Sequence, residues 1–288
     1  MTEVEVLLAE SIGKTQAFVL AHPEYKLKPD ELKRFTRLLA RRLKGEPLAY
    51  VLGEQEFYGL NFKVNKHVLI PRPETEMMVE QIANSKQQTT NRIIIDVGTG
   101  SGAIIVSLAK NLKNKNTKYF AIDISSKALA IARQNAKLNN VDKIITFLKG
   151  DLLEPIFKNL EISAKGGSAF GGKNYLQNYK IQNSKIIITA NLPYLKTSLP
   201  GLTKSQKHDL SFEPRLALLA GTDGLKYYRQ LTKQIQTIKK SYPQLAIELL
   251  AEIDPDQVKP MRQLFASSKT FTVKKDFRNL NRLCIITI

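Results

Sequence analysis

Four short clusters in this 288-residue chain have residue types and spacing suited to chemistry. In the run IIIDVGTGSGA, Asp96 stands two positions before Gly98, and Gly98, Gly100 and Gly102 alternate with Thr99 and Ser101. Glycines where a strand turns into a helix let the backbone bend sharply and approach a ligand closely. The G-x-G-x-G spacing differs from the G-x-G-x-x-G that more usually cradles a pyrophosphate. An acidic residue beside such a loop suits a ligand bearing an ammonium group, held directly or through water, although a plain packing turn has the same composition. Asp123 follows 27 positions after Asp96 at the end of KYFAID, where a carboxylate can accept both hydroxyls of a ribose. Asp151 and Leu152, in KGDLL, fall where an adenine would lie, one accepting from its exocyclic amine and the other packing on its face. Each acidic residue alone reads as a surface charge or a helix cap. Their order over three successive strand ends describes a site for S-adenosylmethionine, which leaves S-adenosylhomocysteine after methyl transfer.

The fourth cluster is TANLPYL, with Asn191, Leu192, Pro193 and Tyr194 after a fourth apolar run. A planar nitrogen conjugated to a carbonyl or a ring has little basicity, so it has to be gripped and aimed at the methyl donor. Asn191 Oδ1 can accept one N–H and the Leu192 carbonyl the other, placing the nitrogen roughly 3 to 3.5 Å from the methyl carbon. Pro193 and Tyr194 would wall the flat group. Four residues of this kind also suit an ordinary turn; a position behind a cofactor-type loop favours the chemical reading. No metal is expected.

The elements that must hold these clusters follow from periodicity. Apolar β-rich runs predict strands at Arg92–Val97, Lys118–Asp123, Lys143–Leu148, Lys185–Ala190, Gln244–Leu249, Thr270–Val273 and Arg282–Ile288. Helical patterns fall between them at Ala103–Leu112, Ser126–Leu138 and Gly224–Lys240. This alternation predicts an α/β, doubly wound, mostly parallel sheet with helices on both faces and ligands beyond the carboxyl ends of its strands. The first 50 or so residues read as helices. Leu32, Phe35, Leu38, Leu39 and Leu43 are spaced to line one face, with Asp30 as N-cap and Gly45 and Pro47 as the stop. The opposite face carries Lys33, Arg34, Arg37, Arg41, Arg42 and Lys44. EFYGLNFKV and HVLI, between Gly53 and Ile70, suggest a hairpin joining two domains. Residues 162–185, rich in Gly, Ser, Asn and Lys, read as a flexible insertion.

Apolar residues make up 43% and charged residues 24%, which excludes wholesale disorder and fibrous classes. The net charge of +18 suits contact with RNA or a ribosomal complex, or else reflects a lysine-rich composition. Cys284, the single cysteine, sits in the apolar run RLCIITI and reads as a buried thiol in a reducing compartment. The N-terminus lacks the pattern of a signal peptide, and no apolar run approaches the roughly 18 residues of a membrane span. A soluble, cytoplasmic protein is expected, with no membrane contact.

Over nearly its whole length the chain resembles the release-factor glutamine methyltransferase family. The resemblance is carried by RRLKGEPLAYVLGEQEFYGLNFKVNKHVLIPRPETE, from Arg41 to Glu76, and by FEPRLALLAGTDGLKYYRQL, from Phe212 to Leu231. It implies a seven-stranded class I methyltransferase (Rossmann-like) domain over 76–288, a small N-terminal helical docking domain over 1–52 and a β-hairpin linker over 53–75. It also implies methyl transfer to the glutamine of a Gly-Gly-Gln tripeptide in class-1 peptide chain release factors. Three departures stand out. Leu192 replaces the family's usual proline, the helical region is shorter than usual, and 162–185 lengthens a short connection. Rival readings are a ribosomal-protein glutamine methyltransferase, an adenine-N6 methyltransferase of nucleic acid, against which IPRPETE argues, and a non-catalytic binding module.

Overall fold

The computed structural model describes residues 2–85, 91–112, 116–156, 184–199, 203–204, 208 and 210–288. The chain begins with four helices, α1 (Glu3–Ile12), α2 (Gln16–Ala21), α3 (Pro29–Leu43) and α4 (Leu48–Leu52). Thr2 and Glu5 form a reciprocal capping box that starts α1. At α3, Pro29 occupies the first helical position, where its fixed φ is already helical and it has no N–H to lose. The Glu31 carboxylate reaches back to the Lys28 N–H at 2.8 Å, so the cap is Lys28, and Asp30 lies inside the first turn instead of capping it. Leu7, Leu38 and Val51 form a small buried core, with Phe35 and Leu39 packed on it. Leu32 and Leu43 do not join them: at opposite ends of α3 they are 51% and 78% exposed.

Next come β1 (Glu54–Phe57) and β2 (Leu60–Lys63), an antiparallel pair. The expected HVLI piece of this hairpin forms no strand. Its alternation reflects burial of Val68 and Ile70 without a partner strand, and side chains satisfy its backbone instead. The Tyr50 hydroxyl donates to the Val68 carbonyl at 2.5 Å, and Glu213 Oε2 accepts from the Ile70 N–H at 3.2 Å.

The remaining α-helices and strands among the described residues are α5 (Glu76–Ala83), β3 (Asn91–Val97), α6 (Ala103–Asn111), β4 (Thr117–Asp123), α7 (Ser126–Leu138), β5 (Ile145–Lys149), β6 (Ser184–Ala190), α8 (Lys226–Ser241), β7 (Ala246–Glu252), α9 (Val258–Leu264), β8 (Thr270–Lys275) and β9 (Asn281–Thr287). Seven strands make one sheet in the order β5-β4-β3-β6-β7-β9-β8, with β9 antiparallel to both neighbours and the other pairs parallel. Side chains alternate across it. Ile93 and Ile95 of β3 pack with Tyr228, Leu231 and Ile235 of α8, while Ile94 faces the other way toward residues of α5, α6 and α7. The strand order reverses between β3 and β6, and a crevice opens at such a switch point beyond the strands' carboxyl ends.

All seven expected strands are present, but β7 runs from Ala246 to Glu252, three residues past its expected end at Leu249. The expected insertion over 162–185 lies outside the described residues except for Ser184 and Lys185, which begin β6. Cys284 is buried on β9, and burial pushes its thiol up to about 12. No described helix is long and apolar enough to cross a membrane.

Candidate active site

A cavity of about 370 Å³ occupies the crevice, lined by the loop after β3, by the ends of β4 and β5, and by the segment after β6. Gly98 and Gly100 line it with φ of 69° and 55°. A Cβ on Gly98 would lie 3.1 Å from Leu192 Cδ2, so this glycine is needed both for its turn and for close packing against the later motif. Thr99 and Ser101 also line the cavity. Gly102 lies behind it, where a Cβ would be 3.2 Å from Ala132 Cβ. The loop is tied down from outside by Asn135 of α7, whose amide donates to the carbonyls of Ser101 and Lys63 at 2.8 and 2.9 Å.

Three acidic residues behave differently here. Asp96 lies beneath the loop, outside the cavity lining, and accepts from the hydroxyls of Thr99 (2.6 Å) and Thr189 (2.8 Å). Burial pushes its carboxyl up to about 7, against the pull of the two hydroxyls. Asp123 lines the cavity; its oxygens accept the Gly100 and Ser125 N–H groups at 2.9 and 2.8 Å. Burial raises its pKa and those backbone donors oppose the rise. A carboxylate has about four lone-pair sites, so these backbone donors leave room for incoming hydroxyls. Asp151 Oδ2 is held at 2.5 Å by Gln230 Nε2, from α8. Leu152, next to it, has a φ of 52°, a conformation a bulky side chain rarely adopts. That turn puts an apolar side chain into the lining beside the carboxylate.

A second cavity, of about 570 Å³, adjoins the first; Asn191, Leu192 and Pro193 line both, and Tyr194 lines only the second. Asn191 Nδ2 donates to Thr75 Oγ1 at 2.9 Å, and the Thr75 hydroxyl donates to Glu252 Oε2 at 2.6 Å. The Tyr194 hydroxyl donates to Glu252 Oε1 at 3.3 Å. Glu252 is fully buried, and burial raises its pKa while Thr75, Arg282 and Tyr194 pull it down. Burial and the nearby Glu252 raise the Tyr194 phenol. Among the described residues no donor reaches Asn191 Oδ1 or the Leu192 carbonyl. The carbonyl of Leu192 is present whatever its side chain, and that side chain is buried against the glycine loop.

The PETE residues of the linker join three parts of the molecule. Glu74 pairs with Arg278 in the β8–β9 turn, Thr75 reaches Asn191 and Glu252, and Glu76 accepts from the Tyr58 N–H in the β1–β2 turn at 2.8 Å. Arg72 pairs with the buried Glu213. The two segments most characteristic in the sequence, IPRPETE and FEPRLALLAG, therefore meet across the second cavity. Sequence reasoning missed Thr75, Glu213, Gln230 and Glu252 as parts of the site. A signal existed for Glu252, because an acidic residue ends the apolar run AIELLAE.

The basic face of α3 is only partly available. Arg41 holds Glu46 at 2.8 and 2.5 Å and donates to the Tyr50 and Val51 carbonyls, while Arg42 pairs with Glu3 of α1 at 2.7 Å. Arg34 donates to the Ser11 carbonyl at 3.1 Å. The expected stripe of six cations thus includes three that brace the helical region, because carbonyls and carboxylates at the helix ends lie within their reach.

The sheet order, the glycine loop and the cavity at the switch point define a class I methyltransferase, which uses S-adenosylmethionine. The PrmC N-terminal domain family matches residues 1–53, and the Methyltransferase domain family matches residues 88–163. The release factor glutamine methyltransferase of Flavobacterium psychrophilum is 36% identical over 91% of this chain and 82% of its own length. That of Moorella thermoacetica is 34% identical over 97% of this chain and 88% of its own. The chain belongs to the release factor glutamine methyltransferase family. Among solved structures, the catalytic domain of human METTL16, crystallised with hairpin 6 of the MAT2A 3'UTR, aligns with a TM-score of 0.54. It is 14% identical, covers 90% of this chain and 81% of that one, and shares the fold.

Proposed function

We infer that the chain methylates the side-chain amide nitrogen (N5) of the glutamine in the Gly-Gly-Gln motif of class-1 peptide chain release factors. The observation that carries this reading is the wall shared by the two cavities. Asn191, Leu192 and Pro193 face the nucleoside-sized cavity on one side and, on the other, a larger cavity reached from the helical region through Arg42, Gly45 and Pro47. The first cavity fits S-adenosylmethionine: it joins the open lone pairs of Asp123, an apolar Leu152 beside Asp151, and a glycine loop that admits close approach. When bound, this cofactor supplies an electrophilic methyl group.

Asp123 accepts the ribose hydroxyls, Asp151 and Leu152 hold the adenine, and Gly98 to Gly102 give the backbone room. Asp96 supports the loop from below through Thr99. Asn191 Oδ1 and the Leu192 carbonyl accept the two N–H bonds of the glutamine amide, with Pro193 and Tyr194 as walls. As positive charge grows on the nitrogen, the bond to Asn191 Oδ1 strengthens, so it aids the transition state more than the ground state. Residues 1–52 serve as the docking domain, and the linker over 53–75 closes the cofactor cavity with His67, Leu69 and Pro71. The deciding experiment gives the protein radiolabelled methyl donor with release factor, large-subunit ribosomal protein and rRNA in separate reactions. Label on the release-factor glutamine supports the reading; label only on ribosomal protein or rRNA refutes it.

A further inference from the structure

We propose that Thr75 and Glu252 are positioning residues that decide which end of the Asn191 amide faces the methyl acceptor. This rests on the reaction assigned above. An ionised carboxylate only accepts hydrogen bonds, so the Thr75 hydroxyl, 2.6 Å from Glu252 Oε2, has to spend its single proton there. What remains on Thr75 Oγ1 toward Asn191 is a lone pair, and only the amide nitrogen can answer it at 2.9 Å. Asn191 Oδ1 is then turned toward the acceptor, as the grip requires. The Tyr194 hydroxyl occupies the other Glu252 oxygen and fixes the carboxylate plane. A protonated Glu252 would reverse the chain: its O–H would donate to Thr75, Thr75 to Asn191 Oδ1, and the amide NH2 would meet the N–H bonds of the substrate. Two sets of donors would then oppose each other.

The surroundings of Glu252 pull its protonation in both directions. Burial favours the neutral acid, and Glu74 from the linker acts in the same direction. Arg282 of β9, itself 3.1 Å from Asp276, favours the carboxylate, as do the hydroxyls of Thr75 and Tyr194. From α8, the Tyr228 hydroxyl donates to the backbone carbonyl of Glu252 and meets its side chain only through the field of the carboxylate. Cys284 lies alongside on β9, and Arg72 and Arg278 line the same cavity with their charges committed to Glu213 and Glu74. Thr75 and Glu252 come from the linker and from β7, 177 positions apart.

The test compares wild type with Thr75→Val, Thr75→Ser and Glu252→Gln, using full-length protein, saturating cofactor and release factor, from about pH 5.5 to about pH 9. Calorimetric binding of S-adenosylhomocysteine checks each fold. Thr75→Val should lower kcat roughly tenfold or more with product affinity within about twofold, because only a positioning contact is lost. Thr75→Ser, which keeps the hydroxyl, should recover most of that loss. In wild type kcat should fall on the acid side; Glu252→Gln cannot titrate and its Oε1 can still accept from Thr75, so it should lack that part of the fall, with a rate set by which end of its amide faces Thr75. Asp96 also titrates, but in every variant, so the difference belongs to Glu252. Should Glu252→Gln fail to bind product, the two Thr75 variants decide. Wild-type kcat in Thr75→Val, or a wild-type rate and acid limb in Glu252→Gln, overturns the proposal. Wild-type protein that leaves release factor unlabelled refutes the assigned reaction instead.

Discussion

The two cavities that meet at Asn191 are built by different means. The cofactor side is made largely from backbone and strand ends: Gly98 and Gly100 in left-handed turns, Asp123 bonded to Gly100 and Ser125, Leu152 in a strained turn. The hydrogen bonds that hold the Asp123 carboxylate join residues at most 23 positions apart; longer links from Asn135 to Ser101, Thr189 to Asp96 and Gln230 to Asp151 brace this side from behind. The acceptor side is made from side chains brought together over long distances. Asn191 reaches Thr75 across 116 positions, and Ile70 reaches Glu213 across 143. A surface of local backbone tolerates side-chain change wherever φ and space permit. A relay of side chains fails when one member is lost.

That contrast is tested first, and most severely, at Asn191. Asn191→Ala removes the acceptor at the centre of the relay and should lower kcat by roughly 10² or more, with a much smaller change in cofactor affinity. Asn191→Asp keeps an acceptor and should retain part of the activity, although a carboxylate beside Thr75 competes for its proton. Equal loss of kcat and of cofactor affinity in Asn191→Ala would mean that the two sides are one unit, and the comparison would collapse.

On the cofactor side, Asp123→Ala should weaken S-adenosylmethionine binding at least tenfold in calorimetry. Two charge-assisted hydrogen bonds to the ribose are together worth about 2 to 4 kcal/mol. The same substitution frees the Gly100 and Ser125 N–H groups, so part of the loss comes from a looser loop. Asp123→Asn, which still accepts one of them, should fall between. Unchanged affinity in both variants would remove Asp123 from the site.

This difference in construction also explains what the sequence disclosed. The glycine loop, Asp123, Asp151 and Asn191 were legible because each stands where an apolar run ends, and strand ends in a parallel sheet face one crevice. Asp96 was legible as part of the loop but not as a buried support, since Thr189, its second partner, lies in another strand. Glu252 was hidden by ending β7 at Leu249, three residues early, where Glu248 interrupts the apolar run. Glu248 is tolerated inside the strand because Lys185 on neighbouring β6 pairs with it at 2.9 Å. Thr75 was legible only as a member of the IPRPETE signature, because its partners Asn191 and Glu252 lie 116 and 177 positions away. HVLI imitated a strand through burial alone.

Asp96 offers a gentler test of the cofactor floor through pH. Its folded pKa, about 7, stands above the ordinary carboxyl value of 3.8. The group's stabilising contribution is therefore fully present below about pH 3.8 and is lost as pH rises toward about 7, because the folded state holds a proton that the unfolded chain has released. Asp96→Asn does not titrate. Its melting temperature relative to wild type should climb by a few degrees between about pH 5 and about pH 8, within a ceiling of about 1.4 kcal/mol per pH unit. A pH-independent difference would show that Asp96 is ionised throughout and that its two threonine bonds outweigh burial.

The smallest effect is expected on the exposed face of α3, whose Lys33 and Arg37 line neither cavity. Three of its cations brace the helical region, so reversing Arg34 or Arg41 would unsettle the fold along with any docking. Lys33 and Arg37 are exposed and form no ion pair among the described residues, which makes them the clean probes of long-range attraction. Surface charges act mainly on encounter and are screened beyond a distance of about 8 Å at physiological ionic strength. Replacing both by Glu should raise the KM for intact release factor a few-fold at low salt, leave kcat and cofactor affinity alone, and lose its effect as salt rises. A KM change that persists at high salt would point to direct contact in the complex, and no change at any salt would make this face merely solvated.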